Sequence, residues 1–149
     1  MPSLLTERIE SVKAGVIAAA SFAIAESTFG LIQGAIAISG EDNLNLIPSV
    51  WSIQWLLQLG IGAVSGFLFG VTYRYVIRDD RNSHLNDGAV LAFGLVRGLA
   101  LIETEASIDQ FWFMVMLVIQ SIVCFAIARW FLDLAISLKL IKPFVNSKQ

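Results

Sequence analysis

The chain has 149 residues, of which 56% are AVILMFWYC and 15% are charged, with a net charge of −2 and a mean hydropathy of +0.73. A soluble domain carries nearer ~25% charged residues, so the composition points to a single integral membrane domain spanning 1–149, and no basic cluster offers a nucleic-acid surface. One cysteine, Cys124, excludes an internal disulfide and a cysteine metal cluster, and the one histidine, His84, has no second His or Cys with which to hold a metal.

Four apolar stretches can be drawn, at roughly 14–38, 50–76, 88–102 and 111–128. Residues 3–13 read as an amphipathic helix running into the first stretch. A signal peptide ending at Ala23-Ile24-Ala25 is an alternative reading, but the apolar run continues through Phe29, Leu31, Ile32 and Ile36, and cleavage would discard half of a segment long enough to span. The connection after it carries Glu41, Asp42 and Pro48. Trp51 and Trp55 then read as interfacial aromatics.

The second stretch closes on Tyr73, Arg74 and Tyr75, followed by Arg78 and Arg81, which together mark a membrane interface. Asp87 suits an N-cap for a short third helix, and Ser107-x-x-Gln110 has the form of a capping box opening the fourth. Arg129 and Trp130 mark that helix's exit. Residues 130–141 continue as an amphipathic helical tail that Pro143 ends.

Lysine and arginine are confined to one side of this pattern. The first and third linkers contain no basic residue and carry Glu41, Asp42, Glu103, Glu105 and Asp109 instead. Of the ten basic residues, all but Arg97 fall at the N-terminal segment, the second connection or the C-terminal segment. The expected fold is therefore an all-α bundle of four transmembrane helices with both termini in the cytoplasm or its equivalent.

Two constellations carry interaction chemistry. Glycines recur four apart at Gly30 and Gly34, at Gly62, Gly66 and Gly70, and at Gly94 and Gly98. Lipid tails give helices no hydrophobic reason to associate, so close backbone approach has to supply it, and such glycine-zipper spacing permits that. The packing they serve is either within the bundle or between subunits. The second constellation is polar: Glu26 and Arg97 lie inside apolar segments, where a charge costs about 2.5–3.5 kcal/mol on insertion scales. An ion pair between them is the economical solution, and Gln33, Gln54, Gln58 and Gln120 can extend it into a buried network. That network either locks the bundle or forms a ligand or ion site, with Glu26 as candidate proton carrier. Arg78, Arg81, His84 and Asp87 are candidate contacts of the loop that joins the second and third helices. A short internal repeat pairs 29–34 (FGLIQG) with 93–98 (FGLVRG), as a duplicated hairpin would.

The stretch 66–78, Asn86-Asp87 and 92–100 resemble a family of small uncharacterised membrane proteins of cyanobacteria and plastids, a resemblance that implies a plasma or thylakoid membrane and no assigned activity or cofactor. Arg78 or Arg81, Asp87, Gly94 and Gly98 fall in the order seen in the Tim translocase and outer-envelope amino-acid-channel group, although the spacing from arginine to acid differs. No phosphate loop, nucleophile elbow, H-E-x-x-H or C-x-x-C is present. The expected function is non-enzymatic: a scaffold or assembly subunit packed against a membrane-protein partner or a second copy. A small transporter or channel around the Glu/Arg/Gln site is the alternative.

Overall fold

The computed structural model describes residues 4–40, 53–76, 83–105 and 111–141. They form four helices, α1 (Leu4–Gly40), α2 (Ile53–Val76), α3 (Ser83–Glu105) and α4 (Phe111–Ser137), each long and apolar enough to cross a membrane. Trp51, Arg78, Arg81, the Ser107/Gln110 capping box, Pro143 and the side chain of Gln54 lie outside the described residues.

Successive helices run antiparallel. Ala14, Ala18 and Phe22 on α1 meet Gly70, Gly66 and Gly62 on α2 in that reversed order, and Gly94 and Gly98 on α3 meet Ile122 and Val118 on α4. The heaviest packing is α1 on α2 and α3 on α4; α1 also packs on α4, α2 packs lightly on α3 and α4, and α1 and α3 stand diagonally apart. Lipid-type exposure dominates the outside: Leu31, Leu57, Val64, Val96, Trp112 and Trp130 are all more than half exposed, as a bundle solvated by hydrocarbon requires.

Small residues set the α1–α2 spacing. A Cβ added at Gly66 would lie 2.9 Å from Cβ of Phe22 and 3.1 Å from Cα of Ala19, and one at Gly70 would lie 2.6 Å from Cβ of Ala18. At Gly94 and Gly98 it would lie 2.7 Å from the Cα atoms of Ile122 and Val118. Backbones this close gain the dispersion contact that holds helices together in a medium with no hydrophobic drive.

The centre is a cluster of four phenylalanines, one from each helix. Phe22–Phe125, Phe69–Phe125, Phe69–Phe93 and Phe93–Phe125 have ring centroids 4.6, 5.2, 5.5 and 5.8 Å apart, in tilted or edge-on contact. Such pairs contribute about 0.5–1.5 kcal/mol each beyond their buried area, so one layer ties all four helices.

Two boundaries differ from the sequence reading. α3 begins at Ser83, one turn before Asp87, so Asp87 is inside the helix and pairs with Arg129 rather than capping. α4 runs to Ser137 and stops there, instead of continuing to Pro143. The helix closes on a Schellman-type turn, with Lys139 N donating to Ile136 O at 2.9 Å, Leu140 N to Ala135 O at 3.0 Å, and Lys139 at φ 58°. That turn brings Ile141 back into the core, where it is 1% exposed. Of the residues read as interfacial, Tyr73 and Arg74 are also buried against the other helices, and Tyr75 is exposed. The reason is register: Arg74 is the next i+4 step after Gly62, Gly66 and Gly70, on the face that meets α1.

Candidate functional site

Residues four apart on a helix share a face, and each phenylalanine of the central layer is followed, four residues on, by a polar residue. Phe22 leads to Glu26 and Phe93 to Arg97 on the helices that run one way. Phe69 leads to Tyr73 and Phe125 to Arg129 on the helices that run the other. The aromatic layer is thus sandwiched between two polar layers, one built by α1 and α3, the other by α2 and α4.

In the first layer, Arg97 Nη2 donates to Glu26 Oε1 at 2.5 Å and to the backbone carbonyl of Gln58 at 3.2 Å, and its guanidinium stands 5.2 Å from the ring centroid of Phe22. The side chains of Arg97 and Glu26 are 7% and 17% exposed. This pair bridges helices that do not pack directly, and Gly62 of α2 is what lets it do so. A Cβ there would fall on Glu26 Oε2 and lie 2.9 Å from both Arg97 Nη2 and Phe22 Cε1. Gly62 therefore makes room for a charge pair, whereas Gly66 and Gly70 make room for a backbone. Glu26 Oε2 and Ser121 Oγ are buried without a hydrogen-bond partner among the described residues.

The other expected members divide. Gln33 Nε2 donates to Gln120 Oε1 at 2.7 Å across the α1–α4 seam, and Gln33 itself is exposed. Gln58 enters the charged site through its backbone carbonyl. The network read from sequence is thus seen as a buried charged piece and a separate, more exposed amide piece. Gly34, next to Gln33, would accept a Cβ with no heavy atom within 4 Å among the described residues, and a Cβ at Gly30 would meet only Trp55 Nε1 at 3.5 Å. Those two glycines do not share the close packing of the other five. In the central layer it is Phe22, not Phe29, that meets Phe125 together with Phe93, so the 29–34 and 93–98 segments do not occupy matching positions about that layer.

The second polar layer was not read from the sequence. Tyr73 Oη donates to Asp133 Oδ1 at 2.8 Å, Arg129 Nε donates to Tyr73 Oη at 3.1 Å, and Arg129 Nη1 pairs with Asp87. A third charged group lies nearby at the α2 terminus. Arg74, 1% exposed, donates to the Glu7 carbonyl at 2.9 Å, to Ser11 Oγ at 2.6 Å and to Glu7 Oε2 at 2.5 Å. Two signals could have found these groups: the repeated Phe-x3-polar spacing, and Arg74 as a fifth step of the Gln58, Gly62, Gly66, Gly70 series.

Cys124 is a free thiol, 1% exposed. No group of three metal-ligating side chains occurs among the described residues, and His84 lies exposed in the first turn of α3. Three cavities have volumes of about 500, 630 and 270 Å³; they lie between α3 and α4 beside Arg129, between α1 and Leu140, and between α1 and α4 beside Phe29. Glu26 and Arg97 line none of the three. No protein-family model, no curated protein and no solved structure matches this chain.

Proposed function

We propose that this chain is a non-enzymatic four-pass integral membrane protein, with both termini on the cytoplasmic side or its equivalent, that acts as a scaffold or assembly subunit. The orientation rests on the one-sided distribution of Lys and Arg. Glycine-zipper packing at Gly62, Gly66, Gly70, Gly94 and Gly98 holds the subunit itself together, and partners meet a different surface.

The observation that carries this reading is the outward seam at Gln33, Gly34 and Gln120. Two amides at membrane depth retain hydrogen-bonding capacity beyond their mutual bond. Among the described residues nothing lies within 4 Å of a Cβ at Gly34, which leaves room for another backbone. Small and amide residues together are what membrane helices use to associate. Extraction in mild detergent from the native membrane, the photosynthetic membrane that the resemblance implies, followed by a native gel and mass spectrometry, tests it. Migration within a larger complex that Gly34→Leu disrupts is the expected result. A band at the monomer position, unchanged by Gly34→Leu, would contradict it.

One observation favours transport as a second reading: the buried, unpartnered Glu26 Oε2 is where a proton or cation would bind. Flux in liposomes that Glu26→Gln abolishes would support that reading, and absence of flux in the unmodified protein would remove it.

A further inference from the structure

The largest of the three cavities described, about 630 Å³, runs along α1 and is closed by Leu140 from the turn that ends α4. Its apolar walls include Ile9, Val12 and Val16, which are 56%, 51% and 55% exposed, and Leu140, 61% exposed. Positions 9, 12 and 16 follow the i, i+3, i+4 rule and make one strip about 10 Å long, at 1.5 Å per residue. Two cations, Arg8 and Lys13, line the same groove, Arg8 at its N-terminal end and Lys13 about midway along it. Beyond Lys13 the lining is purely apolar.

The charges at this end of the bundle are not equivalent. Arg74 is held by Glu7, and Arg129 by Asp87 and Asp133. Lys13 shares Glu10 at 2.9 Å but keeps 52% of its side chain exposed. Arg8 is exposed and makes no ion pair or hydrogen bond among the described residues. A groove with an available guanidinium at one end and hydrocarbon walls beyond it is complementary to an anionic amphiphile.

We propose that this groove binds an anionic glycerophospholipid, its phosphate held by Arg8 and Lys13 and one acyl chain lying along Ile9, Val12 and Val16 against Leu140. The inference rests on the membrane reading above, which puts this end of α1 at headgroup level. Basic pockets beside membrane helices take phosphate headgroups in this way. The αL turn at Lys139 has a part in it, because that turn carries Leu140 onto the groove.

The test is native mass spectrometry of the full chain released from detergent micelles that contain phosphatidylglycerol or phosphatidylcholine of matched chains. One phosphatidylglycerol retained per chain is expected, with a preference of about fivefold for each cation, the Boltzmann equivalent of ~1 kcal/mol. Arg8→Gln/Lys13→Gln removes the preference. Val12→Trp, which fills the groove and leaves both cations, lowers retention of either lipid. Competition by inorganic phosphate alone at the same concentration would show a bare anion site and overturn the lipid assignment. Equal retention of both lipids, or an unchanged preference in the double variant, would also overturn it. Carbonate extraction separates the two failures: a chain that leaves the membrane refutes the membrane reading as well, whereas one that stays inserted yet shows no preference refutes this inference alone.

Discussion

Removing one member of the Glu26–Arg97 pair is expected to cost more than removing both. The pair is nearly closed off, at 7% and 17% side-chain exposure, and its 2.5 Å bond is charge-assisted. An ordinary interhelical hydrogen bond in a membrane protein contributes about 0.6 kcal/mol, whereas breaking a buried ion pair on one side costs about 3–5 kcal/mol, because an uncompensated charge is left behind. Glu26→Gln strands a guanidinium that cannot lose its proton, and it sits over Phe22 in the packed centre. Arg97→Gln strands a carboxyl that can take one up. The expected order is therefore Glu26→Gln at about 4 kcal/mol, Arg97→Gln at about 3 kcal/mol, and the double variant below either single. Unfolding by SDS in mixed micelles, followed by tryptophan fluorescence, measures all three. If the double variant loses the sum of the two singles, the side chains act independently and the pairing argument fails. Singles within about 0.6 kcal/mol of the parent would show an ordinary membrane hydrogen bond instead.

Gly70→Val should destabilise the α1–α2 contact by about 1–3 kcal/mol through overpacking against Ala14 and Ala18, measured in the same titration, while Gly34→Leu should leave the isolated subunit within about 0.5 kcal/mol of the parent. Lys139 holds a left-handed conformation at φ 58°, and Lys139→Gly should stabilise the fold by about 0.5–1 kcal/mol, seen as a later SDS midpoint. Glu7→Gln should cost about 1.5–3 kcal/mol, because it removes the carboxylate that the 1%-exposed Arg74 holds at 2.5 Å. Arg74→Met should cost less, since the Glu7 carboxylate it leaves is 22% exposed and reaches water; reversal of that order in thermal unfolding would count against the burial argument.

Much of the scaffold was legible because its signals are long. Four apolar runs give four helices, and a charge inside such a run needs an opposite charge, which pairs Glu26 with Arg97 on sequence grounds alone, as the structure has them. Helix ends were less legible. Asp87 has the chemistry of a cap, but Arg129 from α4 offers it an ion pair within the helix, and tertiary contact overrides the local preference. The tail read as helix to Pro143 because Leu134, Leu138 and Ile141 keep helical spacing. The αL turn at Lys139 buries Ile141 by folding back, which a periodicity argument cannot see.

The polar residues divided by whether a partner was implied. Arg74 looked like one of several interfacial arginines, yet its position four residues after Gly70 puts it on the buried stripe with Glu7 and Ser11. Gly62 looked like its neighbours Gly66 and Gly70, and only the placement of Glu26 and Arg97 assigns it a different task. The glutamines carry no charge to force a pairing, so sequence alone could not separate Gln33 and Gln120 from Gln58. That separation matters most for function, since it moves the amide pair from the inside of the bundle to its outward seam.

That seam is where the account is most exposed to test. A photo-crosslinking amino acid placed at Gly34, irradiated in the native membrane and followed by mass spectrometry of the adducts, reads directly what covers it. The scaffold reading predicts a discrete adduct to another membrane protein or to a second copy of this chain, weakened by Gln33→Leu. Adducts to lipid alone, with the same yield in Gln33→Leu, would contradict it.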